Sequence, residues 1–368
     1  SREGFGQTEC GFDNIVNYYK TNNPNFINEL NAQNVFLDNY IQTHYNNSGG
    51  GSNITAPIAT PSKVIPVLVH IIREGTNTTT EPIVTYAQVE SQIDALNAYF
   101  SGQGTGNVNS QIQFCLVKNN FNNFASNWNA NEPGVLRYTN ATHANTVNNS
   151  TQANALAAFT NTASYENVLN IWVVKSIDGS CSGLLGYSPL PILNLANQNT
   201  GFLLDGVVIQ AKVFGSNTIP TTASYPLLPN YSPCTNILLN FNQGKALAHE
   251  VGHYLSLWHT FQNNLTTGAT CVGAGSNLDG DFCSDTDPCN IPAGTNTYIN
   301  GAPIPATCGS TADDVHNFMY YSDEPSQTHF STGQVNRMDA FLTNFRNNIY
   351  TPQNLLNWGL YGGTNSCI

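Results

Sequence analysis

The chain has 368 residues, 40% of them hydrophobic and 11% aromatic, which suits one large domain with an appendage or two domains. Its formal net charge of −12 argues against a nucleic-acid partner, whose phosphates that charge would repel. No run of roughly 18 apolar residues is present to span a membrane. Charged residues make up only 9% of the chain, so Asn, Thr, Ser and Gln must supply the polar surface. Nine cysteines suit an oxidising, secreted setting, and the odd count leaves at least one thiol without an intrachain partner. No signal peptide is visible, and a chain that begins at Ser1 is expected to have lost an upstream segment.

Residues 1–46 read as helical and separate, with apolar side chains at helical spacing over 10–20 and 24–45 (Ile27, Leu30, Val35, Leu37, Ile41). A glycine-rich linker follows at 46–52, then a proline-spaced run to 61. This organisation fits a pro-segment, 1–62, joined to a catalytic domain, 63–368; a small structural extension would look similar. From Lys63 the pattern becomes α/β. Strands are expected at 64–72, 112–117, 168–174 and 206–211, with an edge strand at 184–187, and helices at 85–100 and 151–160. The Asn-rich region up to Ala144 reads as loops, and so does the proline-studded stretch 219–233. His70, inside the first strand, reads as structural.

A helix over 243–257 carries His249-Glu250-Val251-Gly252-His253, an H-E-x-x-H pattern, with His259 six residues further on. Residues four apart share a helix face, so His249 and His253 can chelate one metal ion while Glu250 stands beside it. Leu247, Val251 and Leu255 form the apolar face of the same helix. On a continued helix His259 would lie roughly 15 Å along the axis from His249. The helix must therefore stop near Ser256 and fold back. Three imidazoles then leave a fourth position open, the arrangement of catalytic rather than structural Zn²⁺.

Beyond His259 regular structure is sparse until Ser331-x-x-Gln334, a capping box for a helix over 331–347. Cys271, Cys283, Cys289 and Cys308 staple the intervening stretch. The preferred pairing is Cys271–Cys289 with Cys283–Cys308, one of three connectivities open to four thiols. Asp279, Asp281, Asp285 and Asp287 alternate among turn residues in a way that suits Ca²⁺, or solvated turns, without EF-hand spacing.

Asn317-Phe318-Met319-Tyr320-Tyr321 resembles a Met-turn with its trailing tyrosine. With the histidine motif it resembles the metzincin metalloproteases. The flanks Trp258-His259-Thr260-Phe261, Asp205-Gly206-Val207-Val208-Ile209, Ser284-Asp285-Thr286-Asp287-Pro288 and Phe330-Ser331-Thr332-Gly333-Gln334 with Arg337-Met338 resemble the pappalysin branch, over residues 63–348. The resemblance implies an α/β (α+β) zincin fold. Its upper subdomain, 63–259, would hold a mixed twisted sheet and the active-site helix, and an irregular lower subdomain, 260–368, would end in a helix. It also implies structural calcium in the lower subdomain, Met319 as a floor under the histidines and Tyr321 as an oxyanion stabiliser. Two positions depart from the pattern: Ser256 replaces a glycine, and Tyr320 an aspartate.

The expected activity is secreted, zinc-dependent endoproteolysis of polypeptides bound extended along an edge strand, with Glu250 as general base. Cys10 is the expected latency residue, faintly resembling the cysteine switch of matrix metalloproteases, with Asp13 as runner-up. Pairing of Cys10 with Cys367 or another thiol is the structural alternative. Two rival classes stand beside the protease: an extracellular structural protein self-associating through its low-charge, amide-rich surface, and a zinc hydrolase acting on something other than peptides.

Overall fold

In a computed structural model of the chain, the residues described are 10–46, 63–75, 84–120, 128–146, 150–160, 167–178, 184–190, 205–219, 241–262, 271, 280–290, 306–308, 312–360 and 367. Their elements begin with α1 (Phe12–Asn22) and α2 (Phe26–Ile41), followed by a π-helical turn at Gln42–Asn46. Next come β1 (Lys63–Arg73), α3 (Tyr86–Phe100), β2 (Ile112–Leu116), β3 (Val135–Thr139), α4 (Ala141–Ala144) and β4 (Asn145–Thr146). Then follow α5 (Ser150–Phe159), β5 (Leu169–Val174), β6 (Ser176–Ile177), β7 (Gly186–Tyr187) and β8 (Gly206–Gln210). The last are α6 (Lys245–Tyr254), α7 (Thr332–Phe345) and α8 (Pro352–Asn357).

The main sheet runs β2-β1-β5-β8-β7, with β3 also on β1. All its pairings are parallel except β7 on β8, so the sheet is mixed with one antiparallel edge. Side chains alternate across it as the two-residue period of a strand requires. Ile65, Val67, Val69, Ile71, Ile171, Val173, Val207 and Ile209 face a core shared with α3, α6 and α7. Ile72, Trp172, Val174 and Val208 face the other side, where α5 packs through Ala153, Leu156 and Ala157. His70 is fully buried on that second side. Its Nε2 lies 3.0 Å from Asn170 Oδ1 and its ring stacks on Trp172, so it is structural as expected.

One strand contradicts the reading of the Asn-rich region as loops. β1 is eleven residues long, and β2 pairs only with its first part, Lys63–Val67. The exposed remainder of that edge, Val69–Arg73, takes β3 at Val135–Thr139. The expected 219–233 loop lies almost wholly outside the described residues.

The expected disulfide pairing is also corrected. Cys271 pairs with Cys308 and Cys115 with Cys367, while Cys283 and Cys289 are buried and unbridged. The turn at 281–286 closes on itself: Cys283 N and Thr286 Oγ1 both donate to Asp281. That holds Cys283 beside Asp281, whereas Cys289 joins Phe261, Val315 and Tyr320 in a separate cluster. Thr307, bonded to Asn290 and Asp313, brings Cys308 to Cys271 instead.

The N-terminal helices do not stand apart. Phe12, Val16, Phe26 and Leu30 pack with Leu190, Trp258 and Phe282 at the site. Leu37 and Ile41 pack on Ala340, Phe341 and Phe345 of α7.

Candidate active site

Helix α6 follows Gly244, which at φ 77 takes a conformation that suits glycine, and ends at Tyr254. Ser256 then sits at φ 78, in the left-handed region where the chain must reverse to bring back His259. Leu257 N bonds to Gly252 O at 2.9 Å and completes the reversal. Arg337 of α7 compensates the strained serine: its Nε donates to Ser256 O at 2.7 Å and its Nη2 to Ser256 Oγ at 3.2 Å.

The three imidazoles converge. His249 Nε2 lies 3.2 Å from both His253 Nε2 and His259 Nε2, and those two are 3.1 Å apart. The Nδ1 of His249 donates to Phe318 O at 2.7 Å and that of His253 to Leu257 O at 2.8 Å, which leaves both Nε2 lone pairs aimed at the shared point. Lone pairs facing one another repel unless a cation lies between them. Tetrahedral bonds of about 2.0–2.1 Å to Zn²⁺ would put the nitrogens about 3.4 Å apart, close to the observed triangle. Burial, followed by the neighbouring His259, pushes His249 down to about 3, so the ring is neutral and able to ligate.

Cys10 completes the group. Its sulfur and the three histidine nitrogens all lie within 4.8 Å of one another, all four residues are buried, and the Cys10 thiol donates to Glu250 Oε2 at 3.3 Å. Burial raises Glu250 to about 8, partly offset by that contact and by the Ser188 backbone. Gly11 N bonds to Gly186 O at 3.0 Å, so the N-terminal segment runs parallel to β7 along the sheet edge. Phe12 stacks flat on His253 at 4.0 Å, and Tyr321 donates its hydroxyl to Cys10 O at 3.1 Å. The alternative Cys10–Cys367 bridge is excluded by the Cys115–Cys367 bond. Asp13 falls outside the ligand group: its carboxylate is 3.5 Å from His259 Nδ1, the nitrogen facing away from the shared point. Burial would raise the Asp13 carboxyl, but the His259 contacts outweigh it and hold the carboxyl below its ordinary value.

Met319 lies fully buried beneath the helix, where a Cβ on Gly252 would come within 2.5 Å of its sulfur. Asn317 shapes this turn, accepting from Met319 N at 2.9 Å and exchanging two hydrogen bonds with Gln334. The capping box at Ser331–Gln334 forms as expected, so Gln334 both caps α7 and supports the Met-turn. The proposed calcium carboxylates do not assemble among the described residues. Asp281 is engaged by Cys283 N and Thr286, Asp285 accepts from Ser331 Oγ and Gly333 N, Asp287 is exposed, and Asp279 lies outside the described residues.

Two groups of supporting residues escaped the sequence reading. Buried Glu324 accepts from Gln243 N and Ala246 N, at 2.5 and 2.7 Å, and so caps α6. Arg346 bridges Asp205 and the Tyr254 hydroxyl at the other end of that helix. Asp205 and Arg337 lie in the motifs that carried the resemblance, and that was their only signal. Glu324 had none.

This fold and site define a metzincin-type zinc metallopeptidase. The comparisons narrow the class. Residues 230–343 match the Peptidase_M43 family, described as Pregnancy-associated plasma protein-A. An extracellular metalloprotease of Arthroderma otae is 27% identical over 299 residues, 80% of this chain and 82% of the relative. One from Colletotrichum graminicola is 34% identical over 162 residues, 44% of this chain and 46% of that one. In fold, the chain is similar to a promirolysin mutant from Tannerella forsythia (TM-score 0.57, 21% identity, 96% of this chain and 100% of that one). Mature mirolysin in complex with a cleaved peptide gives a TM-score of 0.52 at 23% identity, over 80% of this chain and 98% of that one. The chain thus carries a Peptidase_M43 domain over residues 230–343 and is a metzincin-type zinc metalloendopeptidase. Among the described residues no helix is long and apolar enough to cross a membrane.

Proposed function

We propose that this chain is the latent form of a secreted endopeptidase, with Cys10 as the blocking fourth ligand and Glu250 as the general base once residues 1–62 leave. The observation that carries the reading is the Cys10 sulfur grouped with three histidine nitrogens and touching Glu250. A buried thiol in that position is a good zinc ligand and keeps water from the base. Further support comes from the segment's pairing with β7, the edge an extended substrate would use, and from the fold likeness to a promirolysin. Secretion is supported by relatives named extracellular metalloproteases.

His249, His253 and His259 would hold the zinc, whose Lewis acidity polarises a scissile carbonyl and acidifies water. Glu250 takes the proton from the attacking water and delivers it to the leaving amine. Tyr321, which donates to Cys10 O in the latent form, would turn its hydroxyl to the developing oxyanion. Met319 keeps α6 seated beneath the histidines. Asp279, Asp281, Asp285 and Asp287 are not assigned a calcium ion in this reading.

Three proteins test it. Uncut Cys10→Ala should cleave casein where the uncut parent is inert, and linker cleavage should activate the parent. Glu250→Gln, cut or uncut, should retain zinc and lose nearly all activity. An uncut Cys10→Ala chain as inert as its parent, while cutting activates both, would remove Cys10 from latency. A fully active uncut parent would end the pro-segment reading altogether.

A further inference from the structure

Two of the three clustered histidines find a partner for the far ring nitrogen inside the catalytic domain. His249 Nδ1 is held by Phe318 O at 2.7 Å and His253 Nδ1 by Leu257 O at 2.8 Å. His259 differs. Its Nδ1 is buried and makes no hydrogen bond among the described residues. Aromatic rings surround the imidazole instead: Phe261 stacks on it at 4.6 Å, and Tyr321 and Phe12 meet it edge-on at 4.8 and 5.2 Å. A histidine that ligates through Nε2 carries its proton on Nδ1. His259 therefore presents a buried donor that carries a desolvation penalty until an acceptor reaches it.

The acidic group against that nitrogen belongs to the N-terminal segment. Asp13 Oδ2 lies 3.5 Å from His259 Nδ1, an ion-pair distance a few tenths of an ångström beyond an ordinary N–H···O bond. Asp13 stands in the first turn of α1 with its side chain 46% exposed, so the carboxylate has room to turn onto the nitrogen. The backbone before it is fixed, because Gly11 N bonds to Gly186 O and Phe12 lies flat on His253. Cys10, Phe12 and Asp13 thus meet the open fourth position, His253 and His259 in turn.

We propose that Asp13 is a positioning residue for the metal site: His259 Nδ1 donates to its carboxylate, and the uncut chain thereby holds zinc more tightly than the mature enzyme does. A carboxylate on the far nitrogen fixes the tautomer and raises the basicity of the ligating one, which is worth roughly 10–100-fold in metal affinity. When residues 1–62 leave, Asp13 and Phe12 leave together, and water becomes the partner of Nδ1. The segment both blocks the site and equips it, so zinc is best acquired before the cut. This deepens the latency reading, since it concerns the same segment, yet it needs only that the uncut segment stays seated.

The test is competition for zinc with a chromophoric chelator, using uncut Cys10→Ala protein so that no thiolate adds to the affinity. Asp13→Ala in that background should weaken zinc binding by roughly tenfold or more. Asp13→Asn, which keeps the shape and removes the charge, should lose most of the same amount, and Asp13→Glu should recover part of it. Linker-cleaved Cys10→Ala protein freed of the segment should match the Asp13→Ala variant. A second readout is one that a merely structural aspartate would not move. In zinc-loaded protein with isotope-labelled histidine, the Nδ1–H resonance of His259 should lie downfield and exchange slowly with Asp13 or Glu present, and shift upfield with Asn or Ala. Equal zinc affinity with and without the carboxylate overturns the proposal, and so does a His259 resonance indifferent to it. Either result leaves Cys10 as the block, whereas an active uncut parent ends the latency reading while the zinc data still decide this one.

Discussion

Gly252 lies between two of the clustered histidines, His249 and His253, at a point where the Met319 sulfur leaves no space for a Cβ. Gly252→Ala should therefore push α6 off its floor at a cost of about 1–3 kcal/mol. The expected readout is a lower melting temperature together with weaker zinc retention against a chelator. Unchanged values would show that Met319 gives way freely. At this scale the sequence was most legible for the convergence of the three histidines, because helix geometry alone dictates the spacing of His249 and His253 and the need for a reversal before His259. Ser256 at φ 78 confirms that need. Glu324 was not legible, since a single polar residue in an irregular stretch has no periodicity to betray its partners.

Helix α7 acts on the site from behind. Arg337 grips the left-handed Ser256 through both its carbonyl and its hydroxyl, and the same Nη2 that bonds the hydroxyl also donates to Asn34 Oδ1 of α2 at 2.7 Å. Arg337→Met would leave the reversal before His259 without its clamp. Zinc affinity should fall by roughly tenfold or more, because a lost charged hydrogen bond is worth about 1.5–3 kcal/mol. Ser256→Gly in that background should restore part of it by relieving the backbone. Competition with a chromophoric chelator measures both, and equal affinities would mean that the turn holds itself. Most elements were legible from apolar periodicity, including the capping box at Ser331. The strand β3 was not, because its existence depends on how much of the β1 edge remains unpaired, a property of the sheet rather than of residues 135–139. The pairing of Cys271 with Cys308 was hidden for a similar reason, since the bond network around Thr307 selects it.

For the molecule as a whole, His70 ties stability to pH. Burial lowers it to about 4, although the Asn170 contact opposes that. The folded state therefore refuses a proton that the unfolded chain takes up below about 6.5. Stability from this residue is complete above that value and is lost as pH falls toward 4, by at most about 3 kcal/mol. His70→Gln, which can still donate to Asn170, should flatten the denaturation midpoint between these limits relative to the parent. Parallel pH profiles for the two proteins would show that other groups govern the acid limb.

The seating of α2 on Phe341 and Phe345 bears on the kinetics of activation. A nick at 46–62 would sever a covalent link and leave two non-covalent attachments, one beside the histidine cluster and one on α7. On the latency reading proposed above, the severed piece would be a competitive inhibitor made in equal amount to the enzyme. Its release is then a bimolecular equilibrium governed by dilution. Activity per mole of nicked protein should fall as total concentration rises, and dilution should restore it with a lag set by the off-rate. Leu37→Asp, which weakens only the distal attachment, should shorten that lag and lower the concentration dependence. Specific activity that is constant over a hundredfold range of concentration would mean that the nick alone expels the segment.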